Sequence, residues 1–190
     1  MERSGSSRGE PAWVGEVIDF WLVETSAEKR FAKDADLDAE IERRFAKLHA
    51  DISERPLASD SMTAREALAT VIVLDQFSRN MFRGSARAFA SDTAALSLAK
   101  AVVERGLDAE VDPAGRLFLY LPFEHSESMA DQDRAVALIA TLGDAKLDAY
   151  AVAHRDIIAR FGRFPHRNDA LGRVSTPEEI AFLARPGSSF

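Results

Sequence analysis

Apolar residues recur along this chain at the three-to-four-residue spacing that lines one face of a helix. Trp13, Val17, Phe20 and Trp21 begin the pattern, and Leu37, Ile41, Phe45 and Leu48 continue it, with Arg44 beside them. The second of these stretches carries acids early and bases later, which suits the helix dipole. Thr25 with Glu28, and Thr63 with Glu66, have the spacing of capping boxes, in which side chain and backbone satisfy the free N–H groups of a helix start. The second box precedes a helix predicted over residues 67–81. Inside it, Thr70-Val71-Ile72-Val73 has the composition of a strand. The cap, the Ala and Leu neighbours and the length favour a buried helix instead.

Punctuation along the rest of the chain is equally helical. Ser91 or Asp92 caps residues 94–105, and Gly106 stops them. Asp112-Pro113 opens another helix, with proline in the tolerated first turn. Ser128 or Asp131 starts one that runs to residue 142, before Gly143, and residues 145–161 form the next, before Gly162. Thr176-Pro177-Glu178-Glu179 combines cap, proline and capping-box acid. No pair of strand-period runs joined by a hairpin turn occurs. The reading is all-α: stacked antiparallel helices in a single domain over residues 12–185, with tails at 1–11 and 186–190, the latter ending in a dockable Phe190. Leu-Asp-Ala recurs at 37, 107 and 147, but at unequal intervals, so it is no repeat. The expected core holds Phe20, Trp21, Phe45, Leu68, Val71, Ile72, Leu96, Leu117, Leu121, Leu138, Ile158 and Phe161.

Composition narrows the partners. The chain has 190 residues, 46% hydrophobic and 29% charged, which is globular rather than disordered. A net charge of −7 argues against general affinity for nucleic acid or anionic membrane. The absence of cysteine excludes disulfides, thiolate zinc sites and thiol catalysis, and fits a cytoplasmic location. No segment approaches the roughly 20 apolar residues that span a bilayer, and the N-terminus lacks the apolar core of a secretory signal.

Polar chemistry concentrates in three stretches that thread charged groups between large apolar residues. The first, residues 74–84, holds Asp75, Arg79, Asn80 and Arg83; Asp75 and Arg79 have the spacing of a helical ion pair. Arg79, Arg83 and Arg87 are like charges at four-residue intervals, which suits either a clamp for carboxylate or phosphate or ion pairs to the acids Glu124, Glu127 and Asp131. A direct contact from Arg79 to Glu124 or Glu127 is expected. The second stretch, residues 120–127, places Pro122 within a helical run, where a kink or new helix start is expected, beside Glu124, His125 and Glu127. Tyr120, Glu124 and Glu127 would share a face. A carboxylate beside an imidazole is the minimum kit for acid–base chemistry. In the third, His154 lies on the stripe Tyr150, Ile157, Ile158 and Phe161, where a hydrogen-bonded core histidine is the simpler reading. Arg163, His166, Arg167 and Asn168 follow the helix-ending Gly162. From His154 to Arg173 there are five Arg against two Asp, a local reversal of charge that points to an anionic ligand or acidic partner. The neighbouring arginines oppose a metal cation, and no motif for a cofactor is present.

These motifs carry a family resemblance. Val17-Ile18-Asp19-Phe20-Trp21, Leu74-Asp75-Gln76-Phe77 with Arg79-Asn80 and Arg83-Gly84, Leu121-Pro122-Phe123 with His125-Ser126-Glu127, His154-Arg155 with Ile157-Ile158, the run from Phe161 through Asn168, and Ser175-Thr176-Pro177-Glu178-Glu179 follow one another in order. Together they resemble the bacterial domain of unknown function 924 family over about residues 14–183. The resemblance implies a helical fold related to tetratricopeptide-repeat proteins, and it implies no activity. Ser78 stands where that family usually carries proline, which would end or bend the helix where serine need not.

Three functional readings follow, and the sequence leaves oligomeric state open. The leading one is a non-catalytic helical binding module for an anionic small molecule or acidic peptide. The second is a hydrolase or isomerase using His125, His154 or His166 as base, with Glu124 and arginines orienting substrate. The third is a scaffold whose motif residues only brace one another.

Overall fold

The structure, a computed structural model, describes residues 9–55 and 57–188. The expectations for residues 1–8 and for Phe190 lie outside the described residues. All regular structure among the described residues is helical. Helix α1 (Ala12–Ile18) continues into a π-helical turn, Asp19–Glu24, followed by the short α2 (Ala27–Arg30) and the long α3 (Ala35–Ser53). Next come α4 (Ala64–Val71), a second π-helical stretch (Ile72–Phe77) and α5 (Ser78–Met81), which form one continuous rod. Helices α6 (Asp92–Glu104), α7 (Pro113–Glu124), α8 (Met129–Ala140), α9 (Ala145–Phe161) and α10 (Pro177–Leu183) complete the chain. No helix among the described residues is long and apolar enough to cross a membrane.

Some predicted caps form and others do not: Ser91 and Ser128 stand at their helix starts without a side-chain capping bond. Thr63–Glu66 and Thr176–Glu179 are complete capping boxes, and the Asp112 side chain accepts from the Gly115 amide. Gly162 closes α9 in the left-handed region at φ 69°, where a side chain would be strained. Thr25 is not the cap of α2. Its hydroxyl donates to the Phe20 carbonyl and closes the preceding π turn, and Ser26 caps the helix instead. Pro122 does not break α7, which runs unbroken to Glu124. Proline near a C-terminus removes a single backbone donor, and neighbouring packing holds the last turn. With the helix ending there, Glu127 lies outside it and shares no helical face with Tyr120 and Glu124.

Helices α6, α7, α8 and α9 pack each on the next in chain order, α4 is covered by α1 and α6, and α3 covers the π-helical stretch and α5. Short connections at 125–128 and 141–144 turn α7 into α8 and α8 into α9. The central aromatic group is Phe20, Trp21, Phe45, Phe77 and Phe118; Phe77 sits 4.8 Å from Phe45 and 5.5 Å from Trp21, centroid to centroid. Ten of the twelve expected core residues are buried. Leu96 and Phe161 are only half-buried: Leu98 takes the inward position on α6, and Phe161 packs on Phe182 in a small second cluster with Ile157, Ile158 and Phe164. Tyr150 is exposed, so the buried stripe of α9 begins with Ala151 and His154.

Candidate functional site

The rod from α4 to α5, the end of α7, the middle of α9 and the turn after α9 bring the three polar stretches together. Asp75, on the π-helical stretch, is fully buried. Its carboxylate accepts from His125 Nδ1 at 2.8 Å and from Gln76 at 2.6 Å, and lies 3.0 Å from Arg79 Nη1. A π turn adds a residue to the helical repeat, and such turns recur at functional sites. Here it carries Asp75 and Gln76 inward together. Burial pushes the Asp75 carboxyl up, but Arg79 and His125 outweigh it and hold the group well below the usual carboxylate range. Burial and Arg79 lower His125, against the pull of Asp75, so the ring is neutral near pH 7 and donates its Nδ1 proton to Asp75.

Arg79 does not reach Glu124 or Glu127. It donates to both carboxylate oxygens of Asp92, at 3.0 and 3.1 Å, and to the Asp75 carbonyl at 2.9 Å. Asp92 is in the first turn of α6, close enough for a bidentate pair that satisfies the guanidinium geometry. Its place beside Ser91 suggests a helix cap, and nothing in the local sequence signals a pair with Arg79. Asp92 also accepts from Arg167 Nη1 at 3.3 Å, so two guanidinium groups share one carboxylate.

Arg167 is the more confined of the two. Its side chain is 7% exposed, and its guanidinium stacks 4.5 Å from the Phe164 ring centroid and 4.8 Å from that of Phe89. Its Nε is buried with no hydrogen-bond partner among the described residues. Burial and the Arg79 charge lower its pKa to about 10. His166, beside it, is lowered to about 4 by burial and by Arg167.

Glu124 and His154 form the inner end of the cluster, with Glu124 Oε1 3.2 Å from His154 Nδ1. His154 Nδ1 is closer to the Tyr150 carbonyl, at 2.9 Å, and a carbonyl cannot donate, so Nδ1 carries the proton. Burial lowers His154 to about 3, and burial together with the Asp75 charge raises Glu124 to about 8. At neutral pH the pair is therefore a neutral acid beside a neutral imidazole, not an ion pair. The charges that remain, Arg79 and Arg167 against Asp75 and Asp92, balance.

This arrangement sets a pH dependence. Glu124, at about 8 in the fold against an ordinary 4.5, holds a proton that the unfolded chain has lost between those values, so its contribution makes stability fall as pH rises through that window. His154 and His166, held at about 3 and about 4 against 6.5, act oppositely: the unfolded chain binds protons they refuse, and stability rises with pH through that range. The unfolded imidazoles are only half deprotonated at pH 6.5, so their opposing rise continues to about pH 7.5 and the Glu124 contribution is read as a difference. From pH 6.5 to pH 8 the unfolding free energy of the wild type is expected to fall by about 1.5 kcal/mol relative to that of Glu124→Gln. Urea denaturation across the pH series checks this, and an equal slope in wild type and variant contradicts it.

The other motif residues have partners outside this cluster. Arg83 and Asn80 both bind Asp38 of α3, at 2.8 Å. Arg87 leaves the arginine stripe and lies over the Phe82 ring, 3.8 Å from its centroid. Asp131 pairs with Lys100 at 2.6 Å. Glu127 takes a bidentate pair from Arg173 at 2.8 and 3.0 Å and the Phe164 amide at 2.8 Å. Arg163 is held by both oxygens of Glu179, at 2.7 and 2.8 Å, and by the Val174 carbonyl. That engagement ties Arg163 to the start of α10. Asn168 bridges Ser175 and Arg173 at 3.0 and 2.9 Å. The loop after α9 is thus pinned by its own arginines, while its Phe164, His166 and Arg167 face the cluster. Among the described residues no group of three or more His, Cys, Asp or Glu side chains has metal-holding geometry.

Comparison with known proteins bears on this cluster. A solved structure of a protein of unknown function, ATU0120, from Agrobacterium tumefaciens superposes with a TM-score of 0.85 at 41% identity, covering 91% of this chain and 97% of that one. No curated protein matches the chain. The family model described as bacterial protein of unknown function (DUF924) matches residues 17–187, which include every residue of the cluster, and the chain belongs to that family.

Proposed function

We propose that the protein is a binding module for a small molecule bearing a carboxylate or phosphate, held where Arg167, His166, His125 and Arg79 converge. One observation carries this reading: among the described residues, Arg167 is buried, touches Asp92 through Nη1 at 3.3 Å, and keeps a buried Nε without a hydrogen-bond partner. A buried guanidinium left incompletely satisfied is costly, and an anion with two oxygens in a plane is the partner that completes it. The surrounding groups favour the same class, because the histidines are neutral and the two acids nearest the arginines are already shared.

Titration calorimetry with inorganic phosphate and with succinate tests the proposal. Saturable binding is expected, weakening with added salt, and Arg167→Gln is expected to reduce affinity at least tenfold. Arg163→Gln, at the arginine tied to Glu179, leaves affinity unchanged. An anion touching His166 raises that imidazole from about 4, so affinity grows as pH falls from 7 toward 5. Unchanged affinity in Arg167→Gln rejects this site.

A second reading rests on the Asp75–His125 pair. Asp75 fixes the Nδ1–H tautomer, which leaves Nε2 of a side chain 15% exposed as a free base next to the anion position. It supports a hydrolase or isomerase acting on an anionic substrate. Turnover abolished by His125→Gln and retained in His49→Gln would favour it over simple binding.

A further inference from the structure

A second recess lies between the C-terminal end of α3 and the start of α6 and shares no side chain with the polar cluster. It comprises a cavity of about 280 Å³, whose lining includes His49, Leu74, Phe82 and Ala94, and an adjoining one of about 310 Å³ that reaches Leu98. The two meet at Arg55, Leu57 and Ala94, which line both. The lining is apolar for the greater part, with Ser53, Ser59, Ser91 and Ser97 among it. Arg55 stands at the junction and Arg87 at one end, and both are exposed. Neither makes an ion pair among the described residues; Arg87 only stacks on Phe82. Asp51 feels the Arg55 charge but is paired to Lys47 at 2.7 Å, so in a chain of net charge −7 neither guanidinium at the rim has a salt bridge of its own among the described residues.

His49 adds a polar anchor. Ser78 Oγ lies 2.7 Å from both the Leu74 carbonyl and His49 Nε2. The hydroxyl has one proton and the carbonyl cannot supply another, so Ser78 donates to Leu74 and His49 Nε2–H donates to Ser78. This wiring rules out Ser78 as a nucleophile activated by His49, and leaves Nδ1 as the ring's lone pair. Burial and the Arg87 charge hold the ring neutral near pH 7. The recess is thus a short apolar trough with two cations at its rim and a neutral imidazole in its wall.

We infer that this trough binds an amphiphilic carboxylate with a medium-length hydrocarbon chain, its head on Arg55 and Arg87 and its chain along Leu57, Ala94 and Leu98. Each recess is near the lower end of the ~300–1,000 Å³ range of small-molecule sites, and the two join at Arg55, Leu57 and Ala94, which gives an extended chain room to run from one into the other. The cations give orientation and the floor gives apolar contact, so neither a bare anion nor a neutral alkane meets both requirements.

Octanoate is the probe, with acetate and inorganic phosphate as comparisons, read by the His49 ring signals in NMR titrations of the full chain. Octanoate is expected to shift those signals saturably, and acetate and phosphate at equal concentration are not. The double variant Arg55→Gln/Arg87→Gln, with both changes at exposed side chains, should weaken octanoate at least tenfold. Ala94→Trp, which fills the junction, should abolish the response while the melting temperature shows the fold intact. Absence of a saturable octanoate shift, equal binding of phosphate, or wild-type affinity in either variant overturns the inference. The His125 and His166 signals report the polar cluster independently, so failure at one site is distinguishable from failure at the other.

Discussion

Replacing Asp75 with alanine is expected to lower the unfolding free energy by about 3–5 kcal/mol, because it strands buried charge rather than merely removing it. The carboxylate is fully buried and serves His125, Arg79 and Gln76 at once. Without it, the Gln76 amide and the His125 Nδ1–H lose their acceptor, and Arg79 keeps Asp92 alone against the positive charge of Arg167. Asp75→Asn should cost less, since the amide oxygen still accepts from His125 and no cavity opens. Urea denaturation at pH 7 measures both. A loss under 1 kcal/mol in Asp75→Ala would show that the cluster is well solvated and carries little of the fold.

Phe77→Ala is expected to be comparably damaging, at about 3–5 kcal/mol, for a different reason. The ring is fully buried and meets Phe20, Trp21 and Phe45 within 6 Å of their centroids. Truncation leaves a cavity that three rigid rings cannot collapse into, and it removes the aromatic contact on which α1, α3 and the central rod converge. Val23→Ala, at a side chain 76% exposed, should stay within about 0.5 kcal/mol and serves as the control. Should Phe77→Ala prove as mild as Val23→Ala, the aromatic centre is not where the fold is held.

The two variants separate the roles of one rod. Asp75 and Phe77 are two residues apart, yet one faces the polar cluster and the other the aromatic centre. Residues two apart lie on roughly opposite sides of any helix, and the stretch Ile72–Phe77 is covered by α3, α6 and α7, so all six of its residues are buried. The apolar spacing predicts the helix there and not the wider repeat within it.

What the sequence by itself determined is the local structure. Capping boxes at Thr63 and Thr176, the Asp112-Pro113 start and the glycine stop at Gly162 act through neighbouring backbone groups, and they formed where the residues stand. The apolar spacing likewise selected most of the core, since burial follows the helical repeat. The convergence of the three polar stretches was legible in the same sense, because polar groups set among large apolar residues must meet partners inside the fold.

Only the tertiary structure decided which partners. Charge alone does not distinguish Asp92 from Glu124 as the mate of Arg79, or Glu179 from a ligand as the mate of Arg163; the choice depends on distances set by helix packing. Sequence proximity assigned Asp92 to its own helix start, where it could serve as a cap, and packing turned it toward two arginines from other elements. Protonation states came from the same source. Glu124 and His154 read as an acid and a base, and burial made both neutral, since a low-dielectric interior penalises whichever form is charged.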